Sequence, residues 1–213
     1  AALVDDLGTI VSSVHRPTPD RYDELLHWIA NIASDWAQAF ASSNKTSIVI
    51  GLALPGVVDP ATGTLIRSVN LPWLEGQPIV DQLETEIGHR PVLMTDAEAA
   101  TWGEYIDFGS PAMPFAHLRL GTGVGCGIVV DGKLIPTDPS RRTHWPVLIV
   151  DDSAAASLCP CGLRGCLEVF AGGDSLARKA RDLGFCDLAS LTRGYESNYD
   201  GAVKLMDHAA VAV

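Results

Sequence analysis

The sequence CPCGLRGC occupies residues 159–166 and places three cysteines within eight positions. Gly162 and Gly165 allow so short a loop to fold three sulfur atoms around one point. A structural zinc ion takes four tetrahedral nitrogen or sulfur ligands, and the nearest upstream imidazole belongs to His144. We therefore predict a structural zinc site with the ligands His144, Cys159, Cys161 and Cys166. The alternative is three buried free cysteines that take part only in packing.

The composition of the chain is that of a folded, acidic protein. Its 213 residues are 47% hydrophobic and 19% charged, which suits one domain or two small lobes with a substantial core. The net charge is −11 and the 15 Lys and Arg residues are scattered, so these residues form a poor surface for nucleic acid. No apolar run has the length of a membrane helix, and the N-terminus lacks the pattern of a signal peptide. Together with three clustered cysteines, this predicts a cytoplasmic protein without a membrane partner.

The first quarter of the sequence combines strand and helix patterns. Two short strands are predicted around Gly8, which is available for a turn with positive φ. A helix is predicted to start at Thr18-Pro19, because a cap residue there precedes a first-turn proline. The apolar run at residues 47–54 predicts a buried parallel strand that stops in a tight loop.

Strands and helices continue to alternate toward the C-terminus. The predicted elements are a helix at 79–87, a strand at 92–94, a helix at 97–105, a strand, glycine-rich loop and hairpin at 116–135, and helices after 168 and at 202–213. Asp96 thus falls at a strand-to-helix junction, and Asp131-Gly132 supplies the hairpin turn. The alternation favours an α/β fold with a largely parallel sheet. Cys126 and Cys186 stand apart and are predicted to be small core residues.

Several separate motifs resemble those of one family, the ROK family of transcriptional repressors and sugar kinases. CPCGLRGCLE at 159–168 is similar to the family's cysteine signature, and LGTGVGCG at 120–127 to its second phosphate-binding loop. GLALPGVVD at 51–59 resembles its sugar-side loop, and the sequences NLPW from Asn70 and TDA from Thr95 follow in family order. The resemblance covers nearly the whole chain.

The resemblance implies an α/β fold of the actin-like ATPase type, related to ribonuclease H, with two lobes and an inserted zinc-binding loop. Residues 1–108 form the N-terminal lobe and 109–213 the C-terminal lobe in this interpretation. Kinases of the family use an aspartate as general base, with ATP and Mg²⁺, to phosphorylate a sugar hydroxyl. Asp96 matches that aspartate, although an aspartate before a helix is also an ordinary N-cap.

The same resemblance implies the remaining site residues and partners. The residues implied to contact the sugar are Gly56, Asn70, Asp96, His144 and Glu168, and those implied to bind the nucleotide are Gly121, Thr122, Gly123 and Gly125. From the residues alone, such glycines also serve hairpins and bulges. The implied ligand is a sugar or sugar phosphate, and the implied assembly is a homodimer or homotetramer.

Departures from the family pattern bear on function. Thr95 replaces the asparagine that usually precedes the catalytic aspartate, and Arg141 replaces a glutamate three residues before His144. Arg141 favours an anionic ligand, unless it belongs to a solvated surface loop. The family's aspartate-glycine-glycine-threonine phosphate loop is absent and the C-terminal helices are short, so we expect a fragment of a longer polypeptide or a degenerate member.

Three functions remain open from the sequence. The favoured one is the sugar-sensing effector domain of a ROK regulator with degraded kinase chemistry, whose contact with DNA is made by a segment outside this chain. The alternative is an ATP-dependent hexose or N-acylhexosamine kinase, similar to glucokinases and seen incompletely. The third is a zinc-stabilised protein–protein module that binds neither sugar nor DNA.

Overall fold

The computed structural model describes residues 1–41, 49–136, 138, 140 and 148–213 of the chain. Contacts divide the protein into two compact units, Ala1–Thr95 and Asp96–Val213. The division falls at the start of a helix rather than after residue 108, where the sequence interpretation puts the lobe boundary.

The described part of the first unit contains three pairs of strands. These are β1 (Ala2–Val4) with β2 (Ile10–Ser13), β3 (Gly51–Leu54) with β6 (Val92–Thr95), and β4 (Val57–Asp59) with β5 (Thr64–Arg67). The β3 and β6 strands run parallel, and the other two pairs are antiparallel. The predicted turn at Gly8 is confirmed, because Gly8 lies between β1 and β2 with φ of 83°. The buried strand predicted at residues 47–54 is only partly confirmed: β3 begins at Gly51, Val49 is 80% exposed, and residues 47 and 48 lie outside the described residues.

Two helices pack against each other in the first unit, α1 (Tyr22–Ala41) and α2 (Ile79–Ile87). The bounds predicted for α2 are confirmed. Those predicted for α1 are wrong at its start, because the helix begins at Tyr22 and not at Thr18-Pro19. Its first turn carries two carboxylates, Asp23 and Glu24, which favour a helix N-terminus electrostatically.

The core of the first unit is a group of large aliphatic side chains, which we call the aliphatic cluster. Its most deeply buried members are Leu65, Leu74, Ile79 and Leu83, each 0% exposed. They come from β5, a short 3₁₀ helix (Pro72–Leu74) and α2. Each such side chain contributes about 1.5–3 kcal/mol when it leaves water, so apolar burial is a large stabilising contribution in this unit.

The second unit begins with α3 (Asp96–Asp107), which is followed by a three-stranded antiparallel sheet. The strands are β7 (Phe115–Leu120), β8 (Val124–Val130) and β9 (Lys133–Leu134). Asp131 and Gly132 join the last two strands with φ of 51° and 70°. Positive φ at both central residues is the pattern of a type I′ turn, so the predicted hairpin is confirmed.

Close packing joins α3 to β8. A Cβ on Gly125 would lie 2.9 Å from the Cβ of Ala97, and a Cβ on Gly127 would overlap the Thr101 side chain. The Thr101 hydroxyl is buried and donates to the Ala97 carbonyl at 2.7 Å. Because the helix lies directly on this sheet, it belongs to the second unit.

Four more helices lie in the part of the second unit that the structure describes. They are α4 (Leu167–Ala171), α5 (Gly173–Asp182), α6 (Leu188–Glu196) and α7 (Asp200–Ala212). Asp187 and Ser190 form a capping box at the start of α6. Cys186, predicted as a core residue, is exposed because it lies just outside this cap; that prediction is wrong. Cys126 is buried, as predicted.

The prediction of a largely parallel sheet is also wrong, since β3 and β6 form the one parallel pair in the described part of the chain. The other strands follow one another through short connections, which antiparallel pairing allows and parallel pairing does not. None of the described helices is long and apolar enough to cross a membrane.

Candidate functional site

The candidate general base, Asp96, is the first residue of α3 and directly follows the last residue of β6. Its side chain is 48% exposed, so the carboxylate is open to a ligand. The Oδ2 atom accepts a long hydrogen bond of 3.5 Å from Nη1 of Arg119. Arg119 lies near the end of β7, and its side chain is 52% exposed. A carboxylate and a guanidinium therefore face solvent together.

The glycine-rich loop between β7 and β8 is held against the start of α5. The N–H groups of Gly173 and Asp174 donate to the carbonyls of Gly121 and Thr122 at 2.8 and 2.9 Å. In a trans peptide the carbonyl and the following N–H point in opposite directions. The N–H groups of Thr122 and Gly123 are therefore directed away from α5, as a loop that binds an anion requires.

The glycines of this loop have different reasons to be glycine. Gly125 is explained by the close approach of α3, described above. A Cβ on Gly123 would lie 2.5 Å from Oε2 of Glu168, so this position is fixed by the carboxylate behind it. Around Gly121 there is more room, because the nearest atoms to a Cβ would be Nε of Arg119 and the carbonyl oxygen of Gly123, both at 3.9 Å. Gly121 is the glycine of this set that packing leaves unexplained.

Glu168, predicted to contact the sugar, supports the glycine-rich loop. Its Oε2 accepts a hydrogen bond of 2.9 Å from the N–H of Val124. Its Oε1 lies 3.9 Å from Sγ of Cys159, which donates to it. One carboxylate thus joins the loop to the cysteines, and its predicted sugar contact stays a prediction.

The three sulfur atoms of Cys159, Cys161 and Cys166, which we call the cysteine cluster, lie within 4.8 Å of one another. Sγ of Cys161 is 3.7 Å from Sγ of Cys166. Zinc–sulfur bonds of about 2.3 Å in a tetrahedron separate two sulfurs by about 3.8 Å, whereas a disulfide needs about 2.05 Å. The spacing therefore fits ligands of one metal ion and not a disulfide.

Backbone geometry brings these sulfurs together. The N–H of Cys159 donates to the Leu163 carbonyl at 2.7 Å, and the N–H of Gly162 donates back to the Cys159 carbonyl at 2.9 Å. Gly162 and Gly165 have φ of 97° and 69°, and Gly165 abuts the carbonyl of Asp151 so closely that no Cβ fits. The two glycines that the sequence singled out are thus required.

Burial changes the ionisation of these thiols. It raises the pKa of Cys166 to about 11 and raises the pKa of Cys159 further. Without a metal both sulfurs are thiols at neutral pH, so a metal that binds them displaces protons.

The sugar-contacting residues predicted in the first unit, Gly56 and Asn70, lie on adjoining loops. Gly56 has φ of 128°, and a Cβ there would overlap the carbonyl of Arg67. The loop that carries Asn70 is fixed by Glu75, whose Oε1 accepts from the N–H of Ser68 at 2.7 Å.

Two residues on which the sequence interpretation depends, His144 and Arg141, lie outside the described residues. The fourth zinc ligand and the anionic ligand expected from Arg141 stay predictions. Arg119 was missed by sequence reasoning. The signal available for it was a charged residue in an otherwise largely apolar strand, two positions before Gly121.

Comparison with solved structures defines the class of fold. A ROK hexokinase from Thermus thermophilus matches 96% of this chain with a TM-score of 0.78 and 26% identity, over 67% of its own length. A ROK-family transcriptional regulator, a homologue of the Escherichia coli MLC protein, matches 86% of the chain with a TM-score of 0.65 and 17% identity, over 49% of its length. The fold is that of the ROK sugar kinases, of the actin-like ATPase type.

The chain belongs to the ROK family, whose model matches residues 1–213. A glucokinase of Streptomyces coelicolor is 31% identical over 189 residues, which cover 85% of this chain and 55% of that protein. An N-acetylmannosamine kinase of Citrobacter koseri is 29% identical over 215 residues, which cover all of this chain and 71% of that protein. The chain thus spans little more than half the length of the matched glucokinase.

Proposed function

We propose that this chain carries the general base and a phosphate loop of an ATP-dependent kinase that phosphorylates a hexose or an N-acylhexosamine. The observation that carries the proposal is the half-exposed carboxylate of Asp96 in the same unit as the glycine-rich loop, with Arg119 between them. Kinases acting on both sugar classes are among the similar proteins described above.

In this proposal Asp96 accepts the proton of the sugar hydroxyl that attacks the phosphoryl group. General base catalysis needs a carboxylate fixed within reach of that hydroxyl, and the start of α3 supplies a rigid position. The N–H groups of Thr122 and Gly123 are aimed to bind phosphate oxygens, while α5 holds the loop from behind. Mg²⁺, when bound with the nucleotide, neutralises charge on the phosphates.

The cysteine cluster serves the same proposal as a structural metal centre. Three converging thiols, two of them 3.7 Å apart, fit zinc, and His144 is the proposed fourth ligand. The metal would fix the loop that leads into Glu168. Glu168 follows the last cysteine by two residues and accepts from the N–H of Val124, so an ordered cysteine loop would help to place the carboxylate behind the phosphate loop.

A coupled assay of the protein as the cell makes it, with ATP, Mg²⁺ and a panel of hexoses and N-acylhexosamines, tests this function. We expect turnover with at least one sugar and a loss of about 10²–10⁴-fold in kcat for Asp96→Asn, because the variant cannot take the proton. Asp107→Asn, which makes the same change at the other end of α3, is the control and keeps full activity. Absence of turnover with every sugar refutes the kinase proposal. If Asp96→Asn has the same kcat as the unmodified protein, Asp96 is not the general base.

The regulator is the second candidate, and the buried side chain of Thr95 favours it. Thr95 is 5% exposed and stands where the family pattern has an asparagine, so one amide for sugar recognition is lost. A sugar-sensing domain needs binding without catalysis. Calorimetric sugar binding in protein that shows no turnover, unchanged in Asp96→Asn, would favour the regulator over the kinase.

A further inference from the structure

Arg119 stands at a position that neither the zinc site nor the fold requires. It pairs with Gly125 across β7 and β8, and its guanidinium reaches both Asp96 and the space beside Gly121. These contacts put a permanent positive charge between the candidate base and the glycine that packing leaves unexplained. The whole chain is acidic, with a net charge of −11, so this charge is a local feature.

A structural salt bridge does not account for this arginine. The contact to Asp96 is one hydrogen bond of 3.5 Å between two half-exposed side chains, and such pairs contribute about 0–1 kcal/mol. A guanidinium carries five N–H donors in a fixed fork. Within the described part of the chain, Asp96 is the one hydrogen-bonding partner of the Arg119 side chain. Its Nε lies 3.9 Å from where a Cβ on Gly121 would be, so the guanidinium is close to the start of the glycine-rich loop.

We propose that Arg119 is a phosphate-binding residue of this site, a catalytic residue that acts beside the glycine-rich loop and holds the phosphoryl group during transfer and on the phosphorylated sugar afterwards. The inference rests on the proposed kinase function and extends it. Phosphoryl oxygens are acceptors with a geometry that a guanidinium matches with two parallel N–H donors. Charge on these oxygens is what an enzyme must stabilise in phosphoryl transfer.

The reaction assigns each group one task. Asp96 takes the hydroxyl proton as the sugar oxygen forms its bond to the γ-phosphorus. The bond from that phosphorus to the β,γ-bridging oxygen breaks, and its electron pair leaves with ADP. Arg119 exchanges no proton and forms no covalent bond, and its side chain moves from Asp96 to the phosphoryl oxygens, which carry more charge.

If Arg119 instead suppressed the base, its removal would change kcat in the opposite direction. If the only effect of Arg119 were to occupy the Asp96 carboxylate with a hydrogen bond, removal of its charge would leave the carboxylate available to the sugar hydroxyl and raise kcat. If it binds the phosphoryl group, removal lowers kcat and weakens binding of sugar phosphates but not of neutral sugars. Kinetics and calorimetry on the same variants therefore separate the two roles.

The experiment compares Arg119→Gln and Arg119→Lys with Arg181→Gln, which makes the same charge change at an exposed position of α5. Expected for Arg119→Gln are a fall in kcat of about 100-fold and a weakening of glucose 6-phosphate binding of about 10-fold or more, with glucose binding unchanged. Arg119→Lys keeps the positive charge but lacks the forked donors. Its kcat and its affinity for glucose 6-phosphate should lie between those of the unmodified protein and those of Arg119→Gln. Arg181→Gln matches the unmodified protein, and circular dichroism checks that every variant is folded.

Each result decides the inference. Unchanged or faster turnover in Arg119→Gln, or equal weakening in Arg181→Gln, overturns it. If the unmodified protein shows no turnover, the kinase proposal fails and the calorimetric comparison still decides Arg119. A preference for glucose 6-phosphate over glucose that is lost in Arg119→Gln then supports phosphate binding, and no preference refutes it.

Discussion

The aliphatic cluster of the first unit and the cysteine cluster of the second are both buried, but their burial has different causes. The aliphatic cluster draws large side chains from α1, α2 and several strands, so that removal from water stabilises it. Around the cysteine cluster the buried core described consists of Cys159, Cys166 and Val169, against which the partly buried Cys161, Leu163 and Phe170 pack. A loop with so small a core needs a further source of stability, and three converging sulfurs offer one in a metal.

The largest expected effect comes from breaking the cysteine cluster. Cys166→Ser should abolish binding of about one equivalent of zinc and lower the free energy of unfolding by more than about 4 kcal/mol, because a structural metal and its loop are lost together. Elemental analysis and thermal unfolding measure the two effects. Cys186→Ser alters an exposed thiol and should change neither. Metal-free unmodified protein that is as stable as the zinc-loaded protein would contradict this explanation.

A core substitution in the first unit should have an effect of the ordinary apolar kind. Leu83 is 0% exposed, so Leu83→Ala should cost about 2–5 kcal/mol of unfolding free energy, for lost burial and the cavity left behind. The loss should be the same before and after treatment with a chelator, measured by denaturant unfolding. Leu7→Ala, at a side chain that is 87% exposed, is the control and should change stability by less than about 0.5 kcal/mol. If the loss of unfolding free energy in Leu83→Ala changed when zinc was removed, the two clusters would not be stabilised independently, contrary to this explanation.

Two glycine substitutions in the second unit should have smaller and opposite effects on the free energy of unfolding. Gly127→Ala should destabilise by about 1–3 kcal/mol, since its Cβ would overlap Thr101 of the packed helix. Gly103 lies in α3, and a Cβ there would meet open space, so Gly103→Ala should instead stabilise the protein by about 0.4–1 kcal/mol. Thermal unfolding of both variants with zinc present measures the pair. Destabilisation by both would mean that α3 tolerates no change, whatever its contacts.

Local patterns predicted much of the fold. The bounds of α2, the strand before Asp96 and the hairpin at Asp131-Gly132 follow from hydrophobic spacing and turn chemistry, because these signals act within a few residues. The parallel sheet was wrongly predicted because strand direction depends on pairing between distant segments. The start of α1 was missed because a capping pattern at Thr18 competes with carboxylates a few residues later.

In the candidate site, too, features that depend on local spacing were predicted and features that depend on distant contacts were not. Spacing alone predicted the convergence of three cysteines, and the structure confirms that their sulfurs meet. Spacing could not reveal that Glu168 reaches Val124, 44 positions earlier, or that Arg119 lies beside Asp96. Those contacts depend on how α3, α4 and the sheet pack. The fourth ligand, His144, lies outside the described residues and stays a prediction.

The position of Glu168 has a consequence for how such a protein can evolve. One of its oxygens accepts from Val124 and the other lies against Cys159. Glu168 therefore lies between the cysteine loop and the glycine-rich loop, and the glycine-rich loop is also held by the N–H groups of Gly173 and Asp174. A homologue that replaces Cys159 would lose the contact to one carboxylate oxygen but could keep the hydrogen bond from Val124 to the other. The glycine-rich loop would also keep its two hydrogen bonds to the start of α5, so its shape need not depend on the cysteines alone.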